Sequence, residues 1–249
     1  AVSLNFVDVV EELLLSGKAL VDPQRSDAQQ TPLHIAAKVG STESAQVLLQ
    51  CGANPNARTT ELGTPVLFAA LFNHGEVLQA LVERKGDCNL AVDSGETPLF
   101  VAAQEGNAQV ASVLLAHGAV VNTRGPDGAT PIHVASQHQD TSTLVALLQD
   151  SSILVNVVDE SGETPLFKAT QCGCVEVMKV LVERKDVDPN QARNDSACAI
   201  HVAAQQGNIA AVQLLLRCKA DVNKESTFGT ALAIAEQCGH AEVCKALAP

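Results

Sequence analysis

The sequence predicts an all-α fold, a solenoid of stacked helix–turn–helix units. A segment of the type Thr-Pro-Leu-x-x-Ala recurs seven times, and its copies start 32 to 34 residues apart. A fixed period of this length is typical of repeat architectures. The copies start at Thr31, Thr64, Thr97, Thr130, Thr164, Cys198 and Thr230. The chain is 46% apolar but only 2% aromatic, so its core must consist of small aliphatic side chains, which suits closely packed helices.

The first unit shows which elements each repeat contains. Thr31 is a good N-cap residue, and Pro32 suits the first helical position, where no N–H is needed. Gly40 ends this helix after about two turns, and Ser41 or Thr42 can cap a second helix. A further glycine and a polar connection lead to the next copy. Since a two-helix unit cannot bury its apolar face alone, neighbouring units are expected to stack.

The motif and its flanking loops resemble the ankyrin repeat. Residues 97–103 read Thr-Pro-Leu-Phe-Val-Ala-Ala and follow the loop Asp-Ser-Gly-Glu at 93–96. The segment after the second helix matches as well, for example Ala-Asp-Val-Asn at 220–223. The resemblance implies β-hairpin-like loops between the helix pairs and a concave face that binds partners.

We expect one ankyrin array over residues 1–249. Residues 5–22 look like the second helix of an eighth repeat, so 1–25 are assigned to a partial N-terminal repeat. The complete repeats are expected at approximately 26–58, 59–91, 92–124, 125–158, 159–192, 193–224 and 225–249.

Several repeats depart from the family motif. The motif His, which is structural in the ankyrin family, occurs at His34, His133 and His201. It is replaced by Leu67, Phe100, Phe167 and Ala233. We expect these four repeats to lack the hydrogen bond that this His makes to the neighbouring repeat. Cys198 replaces the capping Thr, and a weaker N-cap costs about 1 kcal/mol. Repeats six and seven are therefore expected to be the looser end.

The composition argues against several functions. The formal net charge is −12 and the chain has no Trp or Tyr, so neither phosphate binding nor base stacking is expected, and we expect no nucleic acid partner. No segment looks like a signal peptide or a membrane span. No motif of a serine hydrolase, a zinc protease, a phosphate loop or a dinucleotide site occurs. We expect no enzyme activity and no cofactor.

The eight cysteines point to reduced thiols. Residues at one address in successive repeats lie roughly 10 Å apart, and no cysteine pair is placed for a disulfide. Cys172 and Cys174 are the closest pair, yet no other Cys or His lies nearby to complete a metal site. We expect no metal and an intracellular location, cytoplasmic and/or nuclear.

The ankyrin resemblance implies that partners bind along the first helices and the loop tips. Counted from each motif start, Val39, Leu71 and Phe72 fall at exposed addresses and would form an apolar patch. Aromatic and aliphatic anchors carry most interface energy, so this patch is a candidate anchor site. Alternatively, Phe72 tucks against its own loop or is covered by a segment of a longer protein.

Glutamines dominate the seventh position after the motif start. They are Gln104, Gln137, Gln171, Gln205 and Gln237, and Glu105 and His138 follow two of them. These amides could hydrogen-bond an extended peptide backbone. Because Gln is a good helix former, they could equally be a solvated helix face.

The loop tips are mostly acidic. Candidate partner-binding residues there are Asp93, Glu96, Asp127, Glu160 and Glu163. A basic segment with an apolar residue at one end would complement this surface. Asn223 ends a repeat in a context that resembles ankyrin sites of asparaginyl hydroxylation, although a plain turn-stabilising Asn is the simpler interpretation.

These observations predict a monomeric protein–protein interaction module, a scaffold or adaptor, that binds a partner protein or extended peptide on its concave face. One alternative is a substrate-recognition or targeting arm of a larger protein, such as a ubiquitin-ligase receptor, kinase or channel. Another is a stoichiometric enzyme inhibitor.

Overall fold

The computed structural model describes residues 21–22, 30–59 and 63–248. The chain divides into two compact units, Ala1–Pro126 (unit 1) and Asp127–Pro249 (unit 2). Of the helix predicted at 5–22 in a partial N-terminal repeat, residues 5–20 lie outside the described residues. That all repeats form one array stays a prediction.

Unit 1 contains three helix pairs within its described residues. They are α1 Pro32–Val39 with α2 Thr42–Gln50, α3 Pro65–Leu71 with α4 Gly75–Glu83, and α5 Pro98–Gln104 with α6 Ala108–Ala116. The first helices α1, α3 and α5 pack in that order, and the second helices α2, α4 and α6 do the same.

Unit 2 contains four helix pairs within its described residues. They are α7 Pro131–Ala135 with α8 Ser142–Leu148, α9 Pro165–Gln171 with α10 Val175–Val182, α11 Ala199–Gln205 with α12 Ile209–Arg217, and α13 Ala231–Cys238 with α14 Ala241–Leu247. A short 3₁₀ turn, Pro126–Gly128, spans the boundary of the units, and an antiparallel hairpin of β1 Glu225–Ser226 and β2 Gly229–Thr230 precedes α13. The predicted all-α class is confirmed.

Capping explains why each first helix begins at its motif. Thr64 Oγ1 accepts a hydrogen bond from the backbone N–H of Leu67 at 3.4 Å, and Thr164 Oγ1 accepts one from Phe167 at 3.1 Å. In the second helix of the first repeat, Ser41 is the N-cap residue and the helix starts at Thr42. These bonds satisfy backbone donors that a helix start otherwise leaves without partners.

Glycine ends the first helix where a left-handed conformation is needed. Gly40 has a φ of 76° and caps α1. A Cβ at this position would approach the His74 ring to 2.5 Å, while His74 Nε2 lies 3.1 Å from the Lys38 carbonyl oxygen. Both the conformation and the neighbouring repeat therefore require glycine here.

Asparagines after the second helices link consecutive repeats. Asn190 donates from Nδ2 to the Lys219 carbonyl at 3.2 Å and accepts from the Asp221 N–H at 2.7 Å. The same two-sided bond is made by Asn56, Asn89 and Asn156. Each side chain thus satisfies one carbonyl and one N–H of the following repeat.

Candidate functional site

The apolar patch of Val39, Leu71 and Phe72 lies at the ends of two adjacent first helices in unit 1. Val39 is the last residue of α1 and is 50% exposed, whereas Phe72 follows α3 and is 38% exposed. Leu71 is half-buried. Two of the three side chains therefore remain on the surface.

The Phe72 ring is held in place by two neighbours. Its centroid lies 6.3 Å from that of the buried Phe68 ring, and Lys38 Nζ lies 5.7 Å from it. The Lys38 contact is a cation–π pair at the edge of the patch. Phe68 and Lys38 thus contact the Phe72 ring and leave part of it exposed. A ring held in this way suits a preorganised anchor site.

The predicted glutamines are on the surface. Gln104 in unit 1 and Gln137, Gln171 and Gln205 in unit 2 are exposed, as is Glu105, whereas His138 is half-buried. In unit 2 the backbone at this address links repeats, since Gln206 Nε2 donates to the Gln171 carbonyl at 2.7 Å. Whether the side-chain amides bind a peptide stays a prediction.

Most of the predicted acidic tips are solvated. The Asp93 side chain is 95% exposed and lies 3.4 Å from Arg58. Asp127 and Glu160 are exposed and adjacent, because the Glu160 N–H donates to the Asp127 carbonyl at 2.9 Å. Glu96 is half-buried and accepts a hydrogen bond from Ser94.

Glu163 does not lie at a solvated tip, and that expectation is wrong. Its side chain is only 8% exposed, and it forms ion pairs with Lys168 and with Arg193 Nη1. Lys168 from the same repeat and Arg193 from the next one both bind the carboxylate, which explains why it is buried. Glu163 therefore has little charge to offer a partner.

Glu163 and four other side chains form a charged cluster. Lys168 also pairs with Asp159 at 2.9 Å, and the Asp159 side chain is 4% exposed. Arg193 binds Asp195 through both Nε and Nη2 and lies 5.1 Å above the Phe167 ring centroid. We call Asp159, Glu163, Lys168, Arg193 and Asp195 the charged cluster.

Hydrogen bonds and burial shift pKa values within the charged cluster. Burial raises the pKa of Asp159, but hydrogen bonds from Lys168 and the Glu163 N–H outweigh it and hold the pKa below its ordinary value. The Arg193 guanidinium lowers the pKa of Asp195 to about 2. Burial lowers the pKa of Lys168, yet its two carboxylate partners leave it raised overall. Three carboxylates and two cations give the cluster a formal net charge of −1.

The sequence contains a signal for this cluster that the repeat motif alone does not show. Lys168 is the fourth residue after its motif start, an address that is otherwise apolar. The other residues at this address are Ile35, Phe68, Val101, Val134, Val202 and Ile234. A buried cation needs a counter-charge, and the loop before the motif supplies Asp159 and Glu163.

The motif histidines link neighbouring repeats, as the resemblance implied. His34 Nδ1 accepts from the Thr31 N–H at 3.1 Å, so Nε2 carries the proton and donates to the Gly63 carbonyl at 3.2 Å. His133 Nε2 donates likewise to the Glu163 carbonyl at 3.0 Å. His201 Nε2 makes a bond of the same kind to the Lys224 carbonyl at 2.9 Å, where repeat six ends.

We expect the free energy of unfolding to fall when the pH is lowered through about 6.5, the ordinary pKa of His. Burial lowers the pKa of His34 and His133, so the unfolded chain binds protons that the folded chain excludes. Urea unfolding at about pH 7.5 and about pH 5.5 measures the effect. Phe100 and Phe167 occupy this address in other repeats, so His34 and His133 can both be replaced with Phe. The double variant should lose less free energy of unfolding between the two pH values than the wild type. An unchanged pH dependence would contradict the assignment.

The cysteines and Asn223 complete the inventory of predicted sites. All eight cysteines lie within the described residues and are free thiols. Burial raises the pKa of Cys172 and Cys174. Among the described residues, no group of three or more His, Cys, Asp or Glu side chains is placed to hold a metal ion. Asn223 is exposed, and its hydroxylation stays a prediction.

Cys198 keeps one capping bond that Thr31 and Thr130 also make. The Cys198 N–H donates to His201 Nδ1 at 3.0 Å, and its Sγ lies 3.3 Å from the Asn190 carbonyl oxygen. That repeats six and seven form the looser end stays a prediction.

In the described part of the chain, no helix combines the length and apolarity that a membrane span requires.

Comparison with known proteins agrees with this geometry. A family model of three ankyrin repeats matches residues 59–125, 121–193 and 185–249, and a model of a single ankyrin repeat matches residues 29–60. A sequence search of curated proteins gives no match.

Two solved structures illustrate the likeness. The human ASB11 ankyrin repeat domain is 28% identical, with a TM-score of 0.76 over 88% of this chain and 96% of that one. The ankyrin repeat domain of Bcl-3, a member of the IkappaB protein family, is 23% identical, with a TM-score of 0.78 over 88% of this chain and 99% of that one. The second likeness concerns the fold alone.

Proposed function

We propose that this chain, which belongs to the ankyrin repeat family, is a protein-recognition module of the scaffold or adaptor type. It binds a partner protein or an extended peptide through the ends of its first helices and the neighbouring loop tips. The observation that carries the proposal is the exposed patch of Val39, Leu71 and Phe72, in which Phe72 is 38% exposed over a buried ring. Ankyrin repeat domains are typically non-catalytic, and we propose no enzyme activity.

The chemistry of the partner follows from the surface. An aliphatic or aromatic side chain of the partner would pack on Phe72, where water is easily displaced from an apolar surface. Exposed carboxylates such as Asp93, Asp127 and Glu160 would attract basic residues. Glu163 no longer belongs to this set, because Lys168 and Arg193 already neutralise it.

The cellular setting is part of the proposal. Eight cysteines remain free thiols, which favours a reducing compartment, the cytoplasm or the nucleus. The formal net charge of −12 keeps copies of the chain apart and supports a monomer.

The test is to replace Leu71 and Phe72 with alanine together. We expect at least a tenfold loss of affinity for a partner captured by the wild-type chain, since a hot-spot side chain contributes about 1.4 kcal/mol or more. Quantitative mass spectrometry after affinity capture would identify the partner, and calorimetry would give its Kd. Val145→Ala is the matched control, because Val145 is 42% exposed but lies on the second helix α8. Unchanged affinity in a folded double variant would overturn the patch as the binding site.

A further inference from the structure

A groove lies in unit 2, on the side of the first helices. It has a volume of about 240 Å³ between α11, α13 and the hairpin that precedes α13. Its principal lining residues are Arg193, Val202, Gln205, Phe228, Ile234 and Gln237. Ile234 and the half-buried Val202 form an apolar floor, whereas the exposed amides of Gln205 and Gln237 border it.

Phe228 stands at the mouth of this groove and is 66% exposed, more than any other large apolar side chain among the described residues. It lies in the two-residue turn between β1 and β2. Its N–H donates to Ser226 Oγ at 3.2 Å, and that hydroxyl donates to the Gly229 carbonyl at 2.9 Å. The ring is therefore carried on a hydrogen-bonded turn.

The position of Phe228 is unusual within the repeats. It is the second residue before the motif start, an address that is small in the four preceding repeats. Those residues are Gly95, Gly128, Gly162 and Ser196. No described residue of its own repeat buries the ring. An exposed aromatic side chain lowers solubility and adds nothing to the packing of the fold, so its presence favours a role in binding.

Arg193 lines the groove, and the negative charge beside it comes from carboxylates outside the lining. Arg193 cannot attract an anion strongly, because Asp195 and Glu163 already bind its donors. The charged cluster carries one surplus carboxylate, and Glu225 on the hairpin and Glu236 on α13 are exposed. The groove therefore combines an apolar floor and amides with acidic residues beside it.

We propose that this groove binds an extended, basic peptide segment of a partner protein, with one bulky apolar side chain packed between Phe228 and Ile234. A Lys or Arg of the segment faces the acidic residues beside the groove, and Gln205 and Gln237 hydrogen-bond its backbone. The inference rests on the proposed function in protein recognition. It adds a site in unit 2 that does not involve Phe72.

The test uses a displayed library of random linear peptides, selected on the full chain. We expect selected peptides to combine a large apolar residue with Lys or Arg, and to bind Phe228→Ala at least tenfold more weakly than wild type. Leu154→Ala is the matched control, because Leu154 is 56% exposed but does not line the groove, and it should retain their affinity. Peptides that respond only to Phe72→Ala would support the patch in unit 1 and overturn the groove.

Direct contact can be read by fluorine NMR on protein labelled with 4-fluorophenylalanine. The Phe228 resonance, assigned by its loss in Phe228→Leu, should shift when a selected peptide is added, whereas the resonance of the buried Phe100 should not. Equal binding by Phe228→Ala, acidic peptides or no enrichment at all would overturn the proposal. So would a dimer in sedimentation that Phe228→Ala abolishes, since the groove would then bind a second copy.

Discussion

Replacing Lys168 with alanine is expected to lower the free energy of unfolding by about 3 kcal/mol, the low end for breaking a buried ion pair. Lys168 lies between Asp159 and Glu163, whose side chains are 4% and 8% exposed. Without the ammonium group, two carboxylates would face each other with Arg193 as their remaining cation nearby. We expect the lower value of this range because the Lys168 side chain is still 17% exposed.

Urea unfolding of the wild type and Lys168→Ala would measure this loss. Lys179→Ala is the matched control, because Lys179 pairs with Glu176 on the surface of α10, where both side chains are more than half exposed. Exposed pairs contribute at most about 1 kcal/mol. If both variants lost the same small amount, the charged cluster would be no more than a surface network.

The regular features of the fold were predictable because they depend on local chemistry. Pro32, Pro65 and Pro98 each begin a first helix of unit 1, as the motif indicated. Proline at that position has the required φ and gives up no hydrogen bond. The exposure of Phe72 was predictable for the same reason, since its address in the repeat fixes its face of the helix.

Features that depend on a neighbouring repeat were not predictable in this way. Lys168 signals in sequence that a counter-charge is needed, but only the packing of Arg193 from the next repeat shows that Glu163 supplies it. The exposure of Phe228 did not follow from the motif, because this residue lies in a hairpin turn before the motif start. Exposure at such positions results from packing across repeats, which a single motif does not record.

Replacing Phe68 with alanine is expected to be the most damaging single change in unit 1, with a loss of about 4 kcal/mol in the free energy of unfolding. The side chain is fully buried, and its ring centroid lies 5.3 Å from that of His34 in an edge-on contact. Truncation would remove this contact and leave a cavity between α1 and α3. It would also remove the ring on which Phe72 rests.

Phe68→Val separates the loss of volume from the loss of the aromatic contact. Other repeats carry a β-branched residue at this address, including Ile35 and Val101, so valine suits the helix and leaves a smaller cavity. We expect its cost to lie between those of wild type and Phe68→Ala in urea unfolding. Equal stability of Phe68→Ala and wild type would show that α1 and α3 close over the gap. In that case Phe72 should lose its fixed position, and partner binding should weaken even though the fold is intact.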